Sequence, residues 1–338
     1  MAKRKRYTRR KKKKPLNWPL ILSAAVLASA AALVYLMLGS SGLSGYLPEL
    51  DGVISAAREI WGELTAQHSR PAFSGGSGEL TGEERAEVHF IDVGQGDSIL
   101  IRCGGYDILI DAGENGQGEA VNAYLDKVGV DSLDLVVGTH PHSDHIGGLD
   151  TVLSAYDAAQ VILPTIPEDL TPTTRTYEDV LDAVEAQGLS VTEPEPGDVY
   201  SFGEGALTIL GPVSAEYDNL NDFSVVCRLD YGEVSFLFTG DMESDAEADL
   251  MEAGAFLDAD ILKAGHHGSS TSTSADFLDA VSPEACVIEV GEGNSYNHPH
   301  KEVVSRLEEA GCAIYRTDLD GTVVFETDGQ NWAVSTGN

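Results

Sequence analysis

Short apolar runs alternate with polar, helix-compatible stretches over most of the chain after residue 86. The runs are about four to eight residues long, rich in Val, Ile and Leu, and bounded by turn-forming residues, which is typical of strands. Between them, residues 118–127, 173–187 and 243–253 have the spacing of helices. Roughly 250 residues of alternating strands and helices is a usual size for one large α/β domain. The pattern therefore predicts one large α/β domain over residues 86–338.

The residues before this domain follow a different pattern. Ten positions between Lys3 and Lys14 are Lys or Arg, and residues 18–38 then contain no charged side chain. An uncharged stretch of about twenty residues is long enough to cross a bilayer as a helix. Because basic flanks stay in the cytoplasm, we expect a basic cytoplasmic segment (1–17), a single transmembrane signal-anchor (18–38) and an extracytoplasmic domain, joined by a flexible tether or stalk (39–85). A cleaved signal peptide, which would make the protein secreted, is the alternative.

The charge of the chain is strongly asymmetric. The formal net charge is −34, and ten of the 21 Lys and Arg residues lie between Lys3 and Lys14, so the rest carries 11 basic against 55 acidic residues, a net charge of −44. Nucleic-acid binding depends on Lys and Arg that neutralise phosphates. A body this acidic is expected to repel long duplex DNA except where bound cations concentrate positive charge.

Three imidazoles and a carboxylate occur within six consecutive positions, His140 to His145. An apolar run at 135–137 precedes them and Gly147-Gly148 follows, so we expect a loop between a strand and a helix. In an extended segment His140 and His142 point to the same side and can hold one metal ion. Asp144 and His145 lie beyond the bend and can reach a second ion.

Two later segments could supply the remaining ligands. Asp241 ends the apolar run 234–238 after a small-residue turn, where its carboxylate could bridge both ions or serve only as a turn residue. The paired His266 and His267 end another apolar run, and one of them is expected to pack or to support the ligands rather than bind metal. Together with the first loop, these residues predict a dinuclear metal site.

The ordered motifs resemble those of the metallo-β-lactamase superfamily. The HxHxDH signature is matched by residues 140–145, and the closest likeness is to the C-terminal hydrolase domain of ComEC-type DNA-uptake proteins and its free-standing relatives, over residues 86–327. The motifs that carry the resemblance are FIDVGQGDS (90–98), ILIDAG (108–113), THPHSDHIGGL (139–149), NDFS (221–224), FTGD (238–241), KAGHHGS (263–269) and NSYNHPH (294–300). The resemblance implies a four-layer αββα metallo-β-lactamase sandwich whose two halves correspond to residues 86–200 and 201–335.

The resemblance also implies roles for particular residues. The implied metal ligands are His140, His142, Asp144, His145, Asp241 and His266. The chain lacks the superfamily's third-motif His, since no His occurs between Asp150 and Phe238. Additional or supporting residues are therefore expected among Asp111, Asn221, Asp222, Ser224 and His267. Catalytic roles beyond metal binding are expected for Asp144, His298 and Ser269, where His298 would orient or protonate the leaving group and Ser269 would bind a phosphate oxygen.

The expected function is a membrane-anchored extracytoplasmic metal-dependent hydrolase. Two divalent ions, zinc in the first place with manganese or iron as alternatives, would generate hydroxide from a bridging water. The expected reaction is cleavage of phosphodiesters, DNA or nucleotides, by a phosphodiesterase or nuclease of the ComEC type. A surface phosphodiesterase acting on phosphocholine, teichoic-acid or other small esters is the alternative, and a lactam or lactone hydrolase ranks below both. A non-catalytic, metal-stabilised binding module is the alternative from a different class, and the oligomeric state stays open.

Overall fold

The computed structural model describes residues 85–337, whose strands form two sheets. The first sheet has eight strands in the order β15-β14-β1-β2-β3-β4-β5-β6. Its antiparallel part runs from β15 to β3, and its parallel part from β3 to β6. The bounds are β1 Ala86–Phe90, β2 Ile99–Cys103, β3 Tyr106–Ile110, β4 Leu135–Val137, β5 Val161–Ile162, β6 Val191–Thr192, β14 Val323–Thr327 and β15 Trp332–Thr336.

The second sheet has seven strands in the order β13-β12-β11-β10-β9-β8-β7. It repeats the arrangement of the first, because β7 to β10 are antiparallel and β10 to β13 are parallel. The bounds are β7 Val199–Phe202, β8 Gly205–Gly211, β9 Val226–Tyr231, β10 Val234–Phe238, β11 Ile261–Lys263, β12 Ala285–Ile288 and β13 Ala313–Arg316.

Eight α-helices and two short 3-10 helices accompany these strands in the described part of the chain. The first four follow strands of the first sheet and the last four follow strands of the second. Their bounds are α1 Gly118–Val128, α2 Ser143–Ile146, α3 Leu149–Ala155, α4 Arg175–Ala186, α5 Ser244–Glu252, α6 Ala275–Val281, α7 Lys301–Ala310 and α8 Thr317–Asp320, and the 3-10 helices are Asn221–Phe223 and Gly265–Gly268.

Strand residues alternate between two cores. In β2, Ile99 and Ile101 point into a core between the sheets, whereas Leu100 points into a core beneath α1, α3 and α4. The sheets meet through aromatic side chains, and the rings of Phe90 and Phe238 lie 6.2 Å apart. A third core joins the second sheet to α5, α6 and α7. Strands buried on both faces explain the continuous apolar runs, and the α/β sandwich of two sheets is confirmed.

The expected halves need one correction. Residues 201–335 were expected to form the second half, but β14 and β15 belong to the first sheet, where β14 pairs with β1 in register Phe90↔Val323. The reason is the open edge of β1, which the returning chain covers while it packs Phe325 between the sheets.

The three expected helices are present with bounds changed by one or two residues. The largest change is at 173–187, because the side chain of Thr174 accepts a hydrogen bond from the backbone N–H of Tyr177 and so starts the helix at Arg175. Among residues 85–337, no helix is both long enough and apolar enough to cross a membrane. The expected signal-anchor at 18–38 lies outside the described residues.

Candidate metal centre

The candidate ligands lie at the carboxyl ends of neighbouring parallel strands. Asp111 follows β3, His140 follows β4, Asp241 follows β10, and the pair His266 and His267 follows β11. Because β3 pairs in parallel with β4, and β10 with β11, each pair of strands ends at one edge of its sheet. Residues far apart in sequence are thereby brought together, as is usual for sites on α/β sheets.

The loop after β4 is held by the buried carboxylate of Asp111. Its Oδ1 accepts a hydrogen bond from the backbone N–H of Thr139 at 2.8 Å, and its Oδ2 accepts one from the Thr139 hydroxyl at 2.6 Å. The same Oδ2 lies 2.7 Å from Nδ1 of His145. Asp111 therefore fixes the ring of His145 and leaves its Nε2 free to face the other ligands.

The turn that presents Asp241 requires glycine. Gly240 has a φ of 51°, and a Cβ there would press against Ser224 and Thr139. The hydroxyl of Ser224 accepts a hydrogen bond from the backbone N–H of Asp241 at 3.0 Å. The small-residue turn thus lets the second sheet approach the loop after β4.

Four side chains form a compact cluster. The ligand atoms of Asp144, His145, Asp241 and His267 all lie within 4.8 Å of one another. His145 Nε2 is 3.1 Å from Asp241 Oδ1, and His267 Nε2 is 3.3 Å from Asp144 Oδ2 and 3.5 Å from Asp241 Oδ2. The cluster combines ligands from both sheets.

The electrostatics of this cluster are strongly coupled. Burial opposes ionisation of Asp241, but the imidazoles of His145 and His267 hold the pKa of that carboxyl well below its ordinary value. Burial likewise opposes a charge on His267, but the carboxylates of Asp241 and Asp97 raise its pKa to about 10. Asp241 and Asp97 also raise the pKa of His145 well above its ordinary value, against the effect of burial. The carboxylate of Asp241 therefore stays ionised and can bind a cation.

The donor atoms fit a divalent cation. His145 Nε2, His267 Nε2 and Asp241 Oδ1 are buried and make no hydrogen bond within the described residues. Buried polar atoms without partners are rare and require an explanation. Two imidazole nitrogens and two carboxylates are a donor set that zinc, manganese and iron accept. Asp144, His145, Asp241 and His267 would hold such an ion.

His140 and His142 lie beside this cluster. His140 Nε2 is 3.1 Å from His142 Nδ1 and 3.9 Å from Asp241 Oδ2. Burial lowers the pKa of His140 well below its ordinary value, and the pKa of His142 is lowered by burial as well. Both rings are therefore neutral near pH 7, which is the form that binds metal.

The two adjacent histidines take different places. His267 was expected to support the ligands, but it is fully buried and belongs to the compact cluster. His266, expected as a ligand, lies outside that cluster, with its Nε2 3.6 Å from Asp241 Oδ2 and its Nδ1 3.1 Å from Glu243 Oε1. Both rings therefore border the same oxygen of Asp241, Oδ2.

The segment expected to replace the missing His contacts the loops around the site. Asn221 Nδ2 donates to Glu243 Oε1 at 3.0 Å. Asp222 Oδ1 accepts from the backbone N–H of Glu243 at 2.9 Å, and Ser224 lies 3.4 Å from His140 Nδ1. These side chains hold the turn that carries Asp241 and the ring of His140.

The expected catalytic residues Ser269 and His298 differ in position. Ser269 is buried, and its hydroxyl lies 3.0 Å from that of Thr271. His298 borders the cleft, with its ring 5.6 Å from that of His266. Burial, together with the neighbouring imidazole of His266, lowers the pKa of His298 to about 4. His298 is therefore neutral at pH 7 and suited to hydrogen bonding rather than to proton donation.

Sequence reasoning missed a buried ion pair beside the site. Lys263 forms a salt bridge with Asp97 and donates to the Gly240 carbonyl at 2.9 Å, and its Nζ is 3.8 Å from Asp241 Oδ1. Asp97 Oδ1 is in turn 3.3 Å from Nδ1 of His267. The available signals were a lysine at the end of an apolar strand and an aspartate in a glycine-rich turn.

An open cleft of about 290 Å³ leads to the ligands. Its lining includes Gln95, Tyr296 and His298, together with Asp144, Asp241 and His267. No Lys or Arg of the described residues lines this cleft. Positive charge for an anionic substrate would therefore come from bound cations.

Comparisons with known proteins agree with this geometry. Residues 91–288 match the family model described as the metallo-beta-lactamase superfamily. ComE operon protein 3 of Bacillus subtilis is 30% identical over 71% of this chain and 33% of its own length. Competence protein ComA of Neisseria gonorrhoeae is 32% identical over 73% of this chain and 33% of its own length.

A third relative is Recombination protein 2 of Haemophilus influenzae, 31% identical over 70% of this chain and 28% of its own length. These three relatives are ComEC-type competence proteins. The chain spans about a third of their length. The expected resemblance is confirmed.

Proposed function

The chain belongs to the metallo-beta-lactamase superfamily of metal-dependent hydrolases, and we propose that it cleaves phosphodiester bonds, with DNA ends or nucleotides as its substrate class. The observation that carries the proposal is the cluster of Asp144, His145, Asp241 and His267 at the floor of an open cleft. Relatives named for competence support a nucleic-acid substrate.

Two divalent cations would divide the available donors. One would be held by Asp144, His145, Asp241 and His267, and the other would lie toward His140 and His142. Such cations activate water and stabilise the charge that develops on a phosphoryl oxygen. Zinc is the first candidate, because nitrogen and carboxylate donors suit it, and manganese and iron are alternatives.

The chain's own residues would position the substrate. Gln95 lines the cleft, and its amide nitrogen is buried without a hydrogen-bond partner within the described residues. A rotation of this side chain would offer the donor to a phosphoryl oxygen. Tyr296 is 60% exposed and its ring lies 5.6 Å from that of His298 at an angle of 25°. Its free face can receive a base or another planar group.

The charge of the molecule favours short or single-stranded substrates. The cleft has no basic wall, and the chain after Lys14 is strongly acidic. Long duplex DNA requires many phosphate contacts to Lys and Arg. A strand end or a nucleotide needs only the cations and a few hydrogen bonds.

The same lack of basic residues favours a second candidate function, a phosphodiesterase acting on small surface esters such as phosphocholine or teichoic-acid units. A cleft of about 290 Å³ is large enough for such a group, which needs no contact with Lys or Arg beyond the bound cations. The two candidates differ in their second substituent, which is a nucleoside in one case and a choline or polyol in the other.

The purified chain, loaded with Zn²⁺ or Mn²⁺, should be tested on five substrates. These are bis-p-nitrophenyl phosphate, single-stranded DNA, double-stranded DNA, p-nitrophenyl phosphorylcholine and the lactam nitrocefin, each with chelator-treated protein as the blank. We expect metal-dependent cleavage of bis-p-nitrophenyl phosphate and of DNA, with single strands cleaved faster than duplex. Hydrolysis of phosphorylcholine ester well above DNA would favour the second candidate. Hydrolysis of nitrocefin alone would contradict the proposal.

We also propose that the hydrolase domain is extracytoplasmic and anchored through residues 18–38. The support is the basic flank followed by an uncharged span. Protease added to intact or wall-stripped cells should release an active fragment that begins near residues 74–78. Spontaneous release into the medium would indicate a cleaved signal, and protection until lysis would contradict the orientation.

A further inference from the structure

The turn that carries the paired histidines has an unusual backbone. His266 (φ 50°, ψ 48°) and His267 (φ 52°, ψ 26°) are consecutive residues in the left-handed region. Non-glycine residues rarely adopt this conformation, because the Cβ atom crowds the neighbouring carbonyl oxygen. Hydrogen bonds hold the turn, from the His266 backbone N–H to the Gly240 carbonyl at 3.2 Å and from the Ser269 N–H to the His266 carbonyl at 2.8 Å.

This backbone sends the two rings in different directions. Their planes differ by 70° and their centroids lie 6.1 Å apart. His267 is directed inward, where its Nε2 meets Asp144 and Asp241. His266 remains at the rim with 23% of its side chain exposed. Neighbouring residues in an ordinary strand or helix could not both border the carboxylate of Asp241 in this way.

The ring of His266 is oriented by a carboxylate. Its Nδ1 is 3.1 Å from Glu243 Oε1. The same oxygen accepts hydrogen bonds from Asn221 Nδ2 at 3.0 Å and from the Thr271 hydroxyl at 3.1 Å. Nδ1 also lies 3.3 Å from the Thr271 hydroxyl. With the ring hydrogen on Nδ1, the ring donates toward the Glu243 carboxylate and Nε2 presents a lone pair. A ring nitrogen that donates to a carboxylate while the other faces a cation is the usual arrangement of a metal-bound histidine.

The lone pair of His266 faces another acceptor. Its Nε2 is 3.6 Å from Asp241 Oδ2, that oxygen is 3.9 Å from His140 Nε2, and His140 Nε2 is 3.1 Å from His142 Nδ1. Short separations thus link three imidazole nitrogens to one carboxylate oxygen, although these four donors do not all lie within 4.8 Å of one another as those of Asp144, His145, Asp241 and His267 do. Donors to zinc bond at about 2.0 to 2.2 Å, which places neighbouring donors on the order of 3.3 Å apart, close to these separations.

The expected substitutes for the missing histidine are engaged elsewhere. Ser224 accepts from the Asp241 backbone, and Asp222 accepts from the Glu243 backbone. Asn221 uses its amide nitrogen on Glu243, although its Oδ1 has no partner within the described residues. Asn221 is therefore the rival to His266 as the remaining ligand.

We propose that the two adjacent histidines bind different cations. His267 binds one cation together with Asp144, His145 and Asp241. His266 binds the other together with His140, His142 and Asp241, and it supplies the imidazole nitrogen that no residue between Asp150 and Phe238 provides. Glu243 is then a positioning residue that holds the ring of His266. The inference rests on the proposed two-cation site, and its test reads metal binding and not hydrolysis.

The test measures cation stoichiometry and affinity in the full chain. The variants are His266→Asn, His267→Asn, Glu243→Gln and Asn221→Ala, where asparagine is chosen for the histidines because it tolerates the left-handed region. The control is Glu252→Gln, at an exposed position at the end of α5, the helix that Glu243 precedes. Bound Zn²⁺ is counted after dialysis, and Co²⁺ absorption spectra report the change in nitrogen ligands. Circular dichroism verifies the fold of each variant.

We expect two Zn²⁺ per wild-type chain and one per chain in either histidine variant, with different Co²⁺ spectra for the cation that each retains. Glu243→Gln should keep two sites but weaken one by about 10- to 100-fold, the usual effect of losing a carboxylate behind a metal-bound histidine. Asn221→Ala should retain two cations, and Glu252→Gln should match the wild type.

Three results would overturn the inference. These are a wild-type chain that binds one cation, a His266→Asn variant that keeps two at wild-type affinity, and an Asn221→Ala variant that loses the cation that His267→Asn retains. If the expected pattern appears while no phosphodiester is cleaved, the division of the histidines holds and only the proposed substrate is wrong.

Discussion

The two regions that supply the ligands are built in opposite ways. In the loop after β4, four candidate ligands lie within six consecutive residues, from His140 to His145. In the second sheet, Asp241 and His267 come from separate loops and meet because β10 and β11 are parallel neighbours in register Phe236↔Ile261. The first region is a local feature of the sequence, whereas the second exists only in the folded sheet.

The regions also differ in how their charge is balanced. Behind the loop after β4 lie two buried acids: Asp111, which accepts hydrogen bonds from Thr139, and Asp97, whose Oδ2 is 3.7 Å from His145 Nδ1. Behind the second region lies a buried cation, Lys263, between Asp97 and Asp241. The buried ion pair of Lys263 and Asp97 therefore connects the two regions.

The largest effect is expected where the two regions join, at Asp241. Asp241→Ala removes a carboxylate that contacts His140, His145 and His267. We expect loss of bound metal and a fall in kcat of at least about 10³-fold, since metal activation is worth several kcal/mol. Metal analysis and phosphodiesterase kinetics check this, with the exposed Asp279→Ala as the control. Full activity in a folded variant would exclude a shared carboxylate.

The second prediction tests the buried cation. Lys263→Met leaves Asp97 and Asp241 buried without their positive partner, so the free energy of unfolding of the metal-free protein should fall by about 3 to 5 kcal/mol. Urea unfolding measures it, with the exposed Lys301→Met as the control. The double variant Lys263→Met/Asp97→Asn should recover part of the loss. No change in the single variant would mean that the pair does not support this region.

The same contrast explains what the sequence could predict. Strand runs were evident because β2 and β10 are buried on both faces over most of their length, so that all their positions except Arg102 and Ser235 are apolar. The loop after β4 was evident because its ligands are contiguous. The pairing of β14 with β1 was not, since it joins residues about 230 apart in sequence and nothing local favours it.

The second region was only partly predictable. The sequence predicted that one of His266 and His267 binds metal, with His266 favoured, but the directions of their rings depend on two consecutive left-handed residues. Lys263 looked like the end of an apolar strand. Its partner Asp97 belongs to the part of the sequence that forms the first sheet, so nothing near Lys263 in the sequence indicated the ion pair. Ser269, expected beside a phosphate, has its hydroxyl against Thr271.

The third prediction separates the two cations by pH. His145 and His267 have raised pKa values because of the carboxylates around them, whereas burial lowers the pKa values of His140 and His142. Metal displaces protons, so binding at His145 and His267 should strengthen as pH rises toward about 10, the pKa of His267. The cation near His140 should depend little on pH.

Calorimetric titrations in buffers of different ionisation enthalpy measure the protons released. We expect about two protons for the cation held by His145 and His267, and up to about tenfold in affinity per pH unit for each proton. His267→Asn should remove one of these protons. Equal pH dependence for both cations would contradict the assignment of charge to the two regions.

The smallest expected effect compares the cap of a helix that follows the first sheet's β5 with the cap of the helix that follows β11. Thr174 caps α4 by accepting from the Tyr177 N–H, and Ser274 caps α6 by accepting from the Phe277 N–H. Either residue replaced by Ala should cost about 1 kcal/mol of unfolding free energy. Ser274, however, ends the segment that begins at His266, and its backbone N–H donates to Glu247 at 3.0 Å. A loosened cap there should also weaken metal binding a few-fold, whereas Thr174→Ala should leave the cation affinity unchanged.

Denaturant unfolding and cation titration on the two variants give the comparison directly. If both variants lose cation affinity equally, the cap of α6 does not specifically support the loop after β11. Cation binding then depends on the stability of the whole sandwich.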